Sequence, residues 1–237
     1  MTDVQPTNQP LVLAITGASG AVYAVRLLQC LCEAKIPVHL LVSPSGAAVV
    51  QQELQIDLGC NRDQLDRLLE YSWPDASTLN QWPRRSTEQV QADRKFITLH
   101  DYRDYMTPVA SGSFLTRGMV ICPCSGATMS GVVHAAGNNL IQRAADVHLK
   151  EHRKLILVPR ETPMSVFQLE NMKRAADAGA IVLPAMPGWY HGVRTVVDII
   201  DFVVARILDH LQVSHVLMKR WGEAGSIDHA LMKREPL

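Results

Sequence analysis

The stretch "LAITGASGAVYAVRLL", Leu13–Leu28, runs an apolar segment into a Gly-rich bend and leaves the bend as a helical pattern. Strand, tight turn and helix in that order open a βαβ unit, so this stretch points to a sheet of parallel strands. Gly17-Ala18-Ser19-Gly20 begins the helix, where backbone N–H groups and the positive end of the helix dipole suit an anion. An ordinary strand–helix turn accounts for the same residues without a ligand. The loop lacks the Lys of a nucleotide-triphosphate loop and the full glycine spacing of a dinucleotide site.

Outward from this unit the alternation continues. Continuous apolar runs at Leu11–Ile15, Pro37–Ser43, Gly118–Pro123, Lys154–Pro159 and Ala180–Ala185 predict strands covered on both faces. Helical patterns at Gly20–Ala34, Ala47–Gln55, Ser125–Ala135, Asn139–Glu151, Ser165–Ala178 and Val193–Leu211 lie between or after them. The expectation is a doubly wound α/β domain, interrupted by a polar, Pro-broken and exposed insertion over 72–95. Ligands of such folds bind beyond the carboxyl ends of the strands, where NAD would want an acidic residue after the second strand for its ribose. Ser43 stands there, and a hydroxyl suits a phosphate or a sugar alcohol, which favours a mononucleotide such as FMN. "CPCSGATMSG" (Cys122–Gly131) repeats the pattern, with Ser125 readable as a helix N-cap, as a ligand contact, or as both.

Composition narrows the function classes. The 237 residues hold 23 Lys and Arg against 23 Asp and Glu, so no net charge recommends nucleic acid or an anionic membrane as partner. The first ten residues lead into no signal-like apolar block, and no apolar run reaches the roughly 20 residues of a membrane span. Five cysteines without a C-x-x-C pair read as buried free thiols of a cytoplasmic protein.

"HLKEH" (His148–His152) has the spacing of one zinc-protease class, but no third ligand is evident, and its basic neighbours suit a solvated helix end. No metal site is expected. Arg143, Lys150, Arg160 and Arg206 form a scattered basic set. Arg160-Glu161 follows a strand directly, and Arg206 sits in an apolar helix where a cation needs a partner. Salt bridges to Asp146, Asp201 or Asp209 and an anionic substrate are both open readings of this set.

Taken together, "TGASGAVYAVRLL", "ASGS" (Ala110–Ser113), "MVICPCS", "NNLIQRAADVHLKE", "LVPRETP", "LPAMPGWYH" and "DFVVARILD" resemble the UbiX/Pad-type flavin prenyltransferases, in order from about Leu11 to Glu223. The resemblance implies a flavodoxin-like (Rossmann-like) parallel sheet flanked by helices. It implies one flavin-binding domain over 11–223, between a flexible segment 1–10 and a tail 224–237. It further implies a homo-oligomer, typically a dodecamer, with sites between subunits. The implied reaction moves a dimethylallyl group from dimethylallyl monophosphate to reduced FMN, and the prenylated FMN serves a UbiD-type decarboxylase. Carried over by motif, Gly17, Ala18, Ser19, Ser43, Ser125, Gly126, Ala127, Thr128 and Arg160 bind FMN. Ser111, Arg143, Lys150, Glu161, Tyr190 and Arg206 surround the prenyl phosphate, and Glu53 is a further carboxylate near the flavin. Two positions depart from the family pattern: Tyr105 replaces a usual Trp, and Gly126-Ala127 replaces a Thr-Gly order.

The chemistry so implied needs cations to stabilise a departing phosphate, an aromatic face such as Tyr105 for allyl charge, and a base. Ser19, Glu53, Lys150, Glu161 and Tyr190 are the catalytic candidates. The rival readings are an FMN-dependent cysteinyl or aromatic-acid decarboxylase and a non-catalytic flavin carrier. The decarboxylases of related flavoproteins carry a PASANT-type motif, where this chain has "PVASGS".

Overall fold

β1 (Leu11–Ile15), β4 (Gly118–Cys124) and β5 (Leu155–Pro159) are buried at every residue. Side chains alternate between the faces of a strand, so a central strand must be apolar throughout. Leu11, Leu13 and Ile15 enter one core with Leu40, Val120 and Ile156, while Val12 and Ala14 enter another with Leu41, Ile121 and Leu157. These cores are the two faces of one sheet. The computed structural model describes residues 9–58, 63–74, 82, 84–218 and 220. Cys60, the tail 224–237, most of segment 1–10 and part of the insertion lie outside them.

With β2 (Val38–Val42), β3 (Ile97–His100) and β6 (Ile181–Val182), the sheet has six parallel strands in the order β3-β2-β1-β4-β5-β6. α1 (Ala21–Glu33) and α8 (Val196–Leu211) contribute to the first core, and α5 (Gly126–Val133) and α6 (Leu140–Lys150) to the second. α7 (Val166–Asp177) adds only Ala175 to the second core as a fully buried residue. The chain winds outward from β1 to β3 and then returns to the other side of β1 as β4. That reversal opens a crevice at the carboxyl ends of β1 and β4, where doubly wound folds bind ligands. The anticipated doubly wound sheet is present.

Several features depart from the expectations, among them β6, two half-buried residues where a strand over Ala180–Ala185 covered on both faces was expected. β3 was not anticipated: it is an edge strand of four residues in which only Ile97 is buried, too short and polar for its pattern to stand out. Two short helices, α3 (Asp63–Glu70) and α4 (Thr87–Arg94), were also missed. The insertion is not wholly exposed, because Trp82 keeps only 2% of its surface accessible. Its indole Nε1 donates to Gln29 Oε1 at 2.6 Å, and its ring lies 5.1 Å from the Arg26 guanidinium. Arg26 in turn pairs with Asp201 through bonds of 2.7 and 3.0 Å, tying α1 to α8. Asp201 therefore belongs to Arg26 and is not a partner of the basic set. His148 is 1% exposed and spends both ring nitrogens internally, on Thr116 Oγ1 at 2.8 Å and on the Ala144 carbonyl at 2.6 Å. Burial lowers its pKa, and it is a core histidine instead of part of a solvated helix end.

Candidate active site

The loop after β1 is tied to the loop after β4 by one side chain. Thr16 is fully buried, and its Oγ1 donates to the Pro123 carbonyl at 2.7 Å while accepting from the Ser125 N–H at 2.9 Å. Gly17 follows, half-buried, where a Cβ would meet Ser45 Cβ and Oγ at 2.6 Å. Only glycine lets the backbone approach α2 (Pro44–Leu54) so closely. Ala18 is buried, Ser19 is exposed, and Gly20 takes φ +110° at the N-cap of α1.

The N-terminus of α1 already has its anion. Glu53, on α2, accepts from Gly20 N–H at 3.1 and 2.9 Å and from Ala21 N–H at 2.9 Å. Two of the donors expected to cradle a ligand phosphate, the Gly20 and Ala21 N–H groups, are thus satisfied by a carboxylate of the chain itself. Burial pushes the Tyr23 hydroxyl above its ordinary value, and the nearby Glu53 charge contributes.

Ser43 and Ser125 both act as N-caps. Ser43 Oγ accepts from Gly46 N–H at 3.0 Å and lies 3.1 Å from Ser45 Oγ. Ser125 Oγ accepts from Thr128 N–H at 3.2 Å and donates to Thr128 Oγ1 at 3.0 Å. Gly126 and Ala127 present the first N–H groups of α5, which a helix leaves without intrahelical acceptors. Arg160, just past β5, donates from Nε to the Ser19 carbonyl at 3.3 Å, so its guanidinium spans the crevice mouth. Glu161 accepts from Gln168 Nε2 at 2.8 Å. N–H donors, hydroxyls and one guanidinium along a crevice fit a phosphorylated flavin. A cavity of only about 10 Å³ lies beside Glu161, whereas one of about 470 Å³ opens past β2 and β3, lined by Ser43, Pro44, Leu65, His100 and Arg103 among others.

The remaining predicted residues lie elsewhere in the chain. The segment after β3 descends along α6: Tyr102 O accepts from Leu140 N–H at 2.8 Å, Ala110 O from Arg143 Nε at 3.1 Å, and Phe114 O from Arg153 at 2.7 Å. Tyr105 lies near its start, and its hydroxyl, the group that distinguishes it from Trp, donates to Gly137 O at 2.9 Å. Ser111 lies midway, 2.9 Å from Ser113 through their hydroxyls. Lys150 ends α6 at the amino edge of the sheet, a five-residue strand from Glu161, or about 16 Å at 3.3 Å per residue. Tyr190 is 45% exposed and packs edge-on against Phe202, with ring centroids 5.7 Å apart. Arg206 lies in the later half of α8.

Three of the four basic side chains are paired with carboxylates: Arg143–Asp146 at 3.0 Å, Lys150–Glu151 at 2.6 Å and Arg206–Asp209 at 2.8 Å. All three pairs are partly exposed and worth about 0–1 kcal/mol each, so an incoming phosphate can compete for the cations. Asp209 does not depend on Arg206, since Arg220 at 2.7 Å and His215 at 3.2 Å also hold it. Burial pushes its carboxyl up, but those hydrogen bonds overcome the effect and keep it below its ordinary value. Among the described residues no group of three or more His, Cys, Asp or Glu side chains is placed to hold a metal ion.

Thr16 and Gln168 escaped the sequence reading. Thr16 follows an apolar strand and precedes Gly17, which marks a strand end but not a bridge to residue 123. Gln168 stands three residues after Ser165, a capping-box spacing that predicts a helix start and says nothing of Glu161.

The Flavoprotein family matches residues 2–208. Flavin prenyltransferase UbiX of Pseudomonas aeruginosa is 44% identical over 213 residues, covering 90% of this chain and 94% of the relative. The corresponding protein of Methanocaldococcus jannaschii is 37% identical and covers 90% and 98%. The crystal structure of AnUbiX (PadA1) in complex with FMN and dimethylallyl pyrophosphate aligns with TM-score 0.72 at 31% identity, over 91% of this chain and 98% of that one. A dodecameric FMN-dependent UbiX-like decarboxylase from Escherichia coli O157:H7 aligns with TM-score 0.70 at 36% identity, over 90% and 98%. The crevice between β1 and β4, with Arg160 and Glu161 at its mouth, is thus that of a chain belonging to the Flavoprotein family and, within it, to the UbiX flavin prenyltransferases.

Proposed function

We propose that this chain transfers a dimethylallyl group from dimethylallyl monophosphate to reduced FMN, yielding prenylated FMN for a UbiD-type decarboxylase. The observation that carries the reading is the pair Arg160 and Glu161 at the carboxyl end of β5, a cation bonded to the Ser19 carbonyl and a carboxylate held by Gln168. Bound flavin supplies the nucleophilic ring that accepts the prenyl group. Arg160, Ser43, Ser125, Thr128 and the free N–H groups of α5 hold and orient that ring and its phosphate. Ser19 and Ala18 border the reacting edge, and Glu53 holds their loop through Gly20.

Loss of phosphate from an allyl carbon needs the departing charge stabilised, and charge-assisted hydrogen bonds supply about 1.5–3 kcal/mol each. Arg143, Lys150 and Arg206 provide that charge, with Tyr190 as a neutral donor and Tyr105 offering an aromatic face. Glu161 exchanges the proton that ring closure releases. Because Lys150 lies at the far edge of the sheet, it reaches Glu161 from another copy of the chain. The exposed Phe167 (74%), Met186 (60%) and Trp189 (68%) give such copies an apolar surface to cover. The dodecameric relative supports an assembly of that size. The solved relative holding dimethylallyl pyrophosphate supports the substrate class; the absence from the sequence of an Asp-rich metal motif favours the monophosphate.

The reading places the reaction in the cytoplasm. Cys30, Cys32, Cys122 and Cys124 are free and buried, and burial pushes the Cys30, Cys32 and Cys124 thiols up to about 12. Among the described residues no helix is long and apolar enough to cross a membrane.

The test is the mass of FMN after anaerobic incubation with reductant and dimethylallyl monophosphate. A covalent gain of one prenyl unit supports the reading. Unmodified flavin with carbon dioxide released from a cysteinyl or aromatic acid establishes the decarboxylase instead, and unmodified flavin with neither activity leaves a carrier.

A further inference from the structure

We infer that Gln168 is a positioning residue that fixes the proton-exchanging carboxylate of Glu161 through a directed amide hydrogen bond, an inference that rests on the role proposed above for Glu161. The orientation of the amide is settled by its two partners. Ser165 N–H can only donate, and it lies 2.7 Å from Gln168 Oε1. The amide nitrogen must therefore point the other way, where it meets Glu161 Oε2 at 2.8 Å. Gln168 is itself held by the capping box that starts α7, since its own N–H donates to Ser165 Oγ at 3.3 Å.

Gly126 makes room for this arrangement. A Cβ at position 126 would stand 3.3 Å from Gln168 Nε2, tighter than ordinary van der Waals contact. The Gly at this position, one of the two departures from the family pattern, thus admits the amide beside the carboxylate. The cavity shared by Glu161, Gln168, Gly126 and Asn171 is about 10 Å³, room for roughly one water beside the pair. One carboxylate oxygen is occupied by a neutral donor, leaving Oε1 as the oxygen that gives or takes a proton.

Two substitutions separate this role from helix capping. Gln168→Glu keeps an acceptor for Ser165 N–H, and Glu is a normal capping-box partner, so α7 retains its start. It removes the donor and sets a second carboxylate against Glu161. Gln168→Met removes both functions. The titration of Glu161 is followed by ¹³C NMR of glutamate-labelled protein, its resonance assigned by loss in Glu161→Gln. The expected result is a changed Glu161 titration curve in both variants, with the larger change in Gln168→Glu, where a second carboxylate faces it. Thermal stability at neutral pH should fall in both variants, in Gln168→Met through the lost helix cap and in Gln168→Glu through repulsion between the two carboxylates. In parallel, the acid limb of the prenyl-transfer pH profile moves with the titration, and FMN affinity is unchanged.

An unmoved Glu161 midpoint in Gln168→Glu overturns the inference and leaves Gln168 a helix cap. Because the titration needs no turnover, it reads this inference even where wild-type protein leaves FMN unmodified. A displaced midpoint with unmodified wild-type flavin faults the proposed reaction, whereas an unmoved midpoint with prenylated wild-type flavin faults the role of Gln168.

Discussion

The two halves of the proposed site are built differently. The flavin half stands on residues that immediately follow β1, β2, β4 and β5, and short bonds within one chain join them: Thr16 to Ser125, Arg160 to Ser19, Glu53 to Gly20. The phosphate half is scattered over α6, the segment before α8, and α8, with each cation paired to a neighbouring carboxylate. A parallel sheet delivers all its strand ends to one edge, so residues just past strands meet without further instruction. Helix faces receive no such gathering. Their side chains meet a substrate only when another surface is brought to them.

The largest expected effect tests the chemistry where the halves join. Glu161→Gln keeps the size and the acceptor for Gln168 but removes proton exchange. Prenyl transfer should slow by roughly 10²-fold or more, the scale of a lost acid–base group, with FMN affinity within a few-fold of wild type. Rates from the appearance of prenylated FMN and affinities from flavin fluorescence check both. A fall in flavin affinity equal to the fall in rate would show that Glu161 belongs to the binding half alone.

Next in size is the contribution of the scattered cations. Arg206→Ala should slow transfer roughly 10–100-fold, the value of one charge-assisted bond to the leaving phosphate. Mixing Arg206→Ala with Glu161→Gln and reassembling them should restore about a quarter of wild-type activity if each site takes these residues from different copies. No recovery on mixing would place both residues in one chain and break the contrast between the halves.

Much of the flavin half was legible in the sequence because it consists of strand ends, and strand ends are where long apolar runs stop. Gly17, Ser43, Ser125 and Arg160 each terminate such a run. Glu53 lies in a predicted helix, but its grip on Gly20 depends on how α2 lies beside α1, which no periodicity encodes. β3 and α4 escaped for a related reason: an edge strand with one buried residue and a helix burying only Val90 leave almost no apolar signature. Arg143 and Arg206 could be read as salt-bridged or as substrate-binding. The structure shows the salt bridges, and both pairs are partly exposed.

A third test sharpens the claim that the flavin half is assembled within one chain. Thr16→Val deletes the hydroxyl between the two loops, stranding the part-buried Ser125 N–H and weakening the hold on Pro123. Leaving such groups unsatisfied costs about 1–3 kcal/mol. Calorimetry should show lower stability, and FMN affinity should fall about tenfold if the loops must stay in register to hold flavin. Transfer at saturating FMN should remain near wild type, since Thr16 touches no reacting atom.

The smallest effect concerns the region past β2 and β3, whose large cavity is lined by His100 but by none of the catalytic candidates. His39 and His100 stack there with ring centroids 4.9 Å apart and a 2.6 Å contact between Nδ1 and Nε2. Phe114 meets His39 edge-on at 5.1 Å, and Asp104 is the nearby charge that opposes lowering at His100. Burial first, and then His100, push His39 down to about 4 from 6.5. Between those values the unfolded chain binds a proton that the folded chain refuses, so stability falls as pH drops below 6.5 and levels near 4. A fully buried group shifted this far would lose about 3 kcal/mol, but solvent screening of the half-buried His39 reduces that to about 1 kcal/mol. About half of that loss falls between pH 7 and pH 5, so wild-type Tm should fall by roughly 1–2 °C more than that of His39→Gln over that range. Carboxylates titrate alike in both proteins, and the difference isolates the histidine. Prenyl transfer at pH 7 should be the same in both, because the pair is neutral there and lies outside the crevice. A His39→Gln variant with normal stability but slowed transfer would bring the β2–β3 side into the reaction and redraw the boundary of the flavin half.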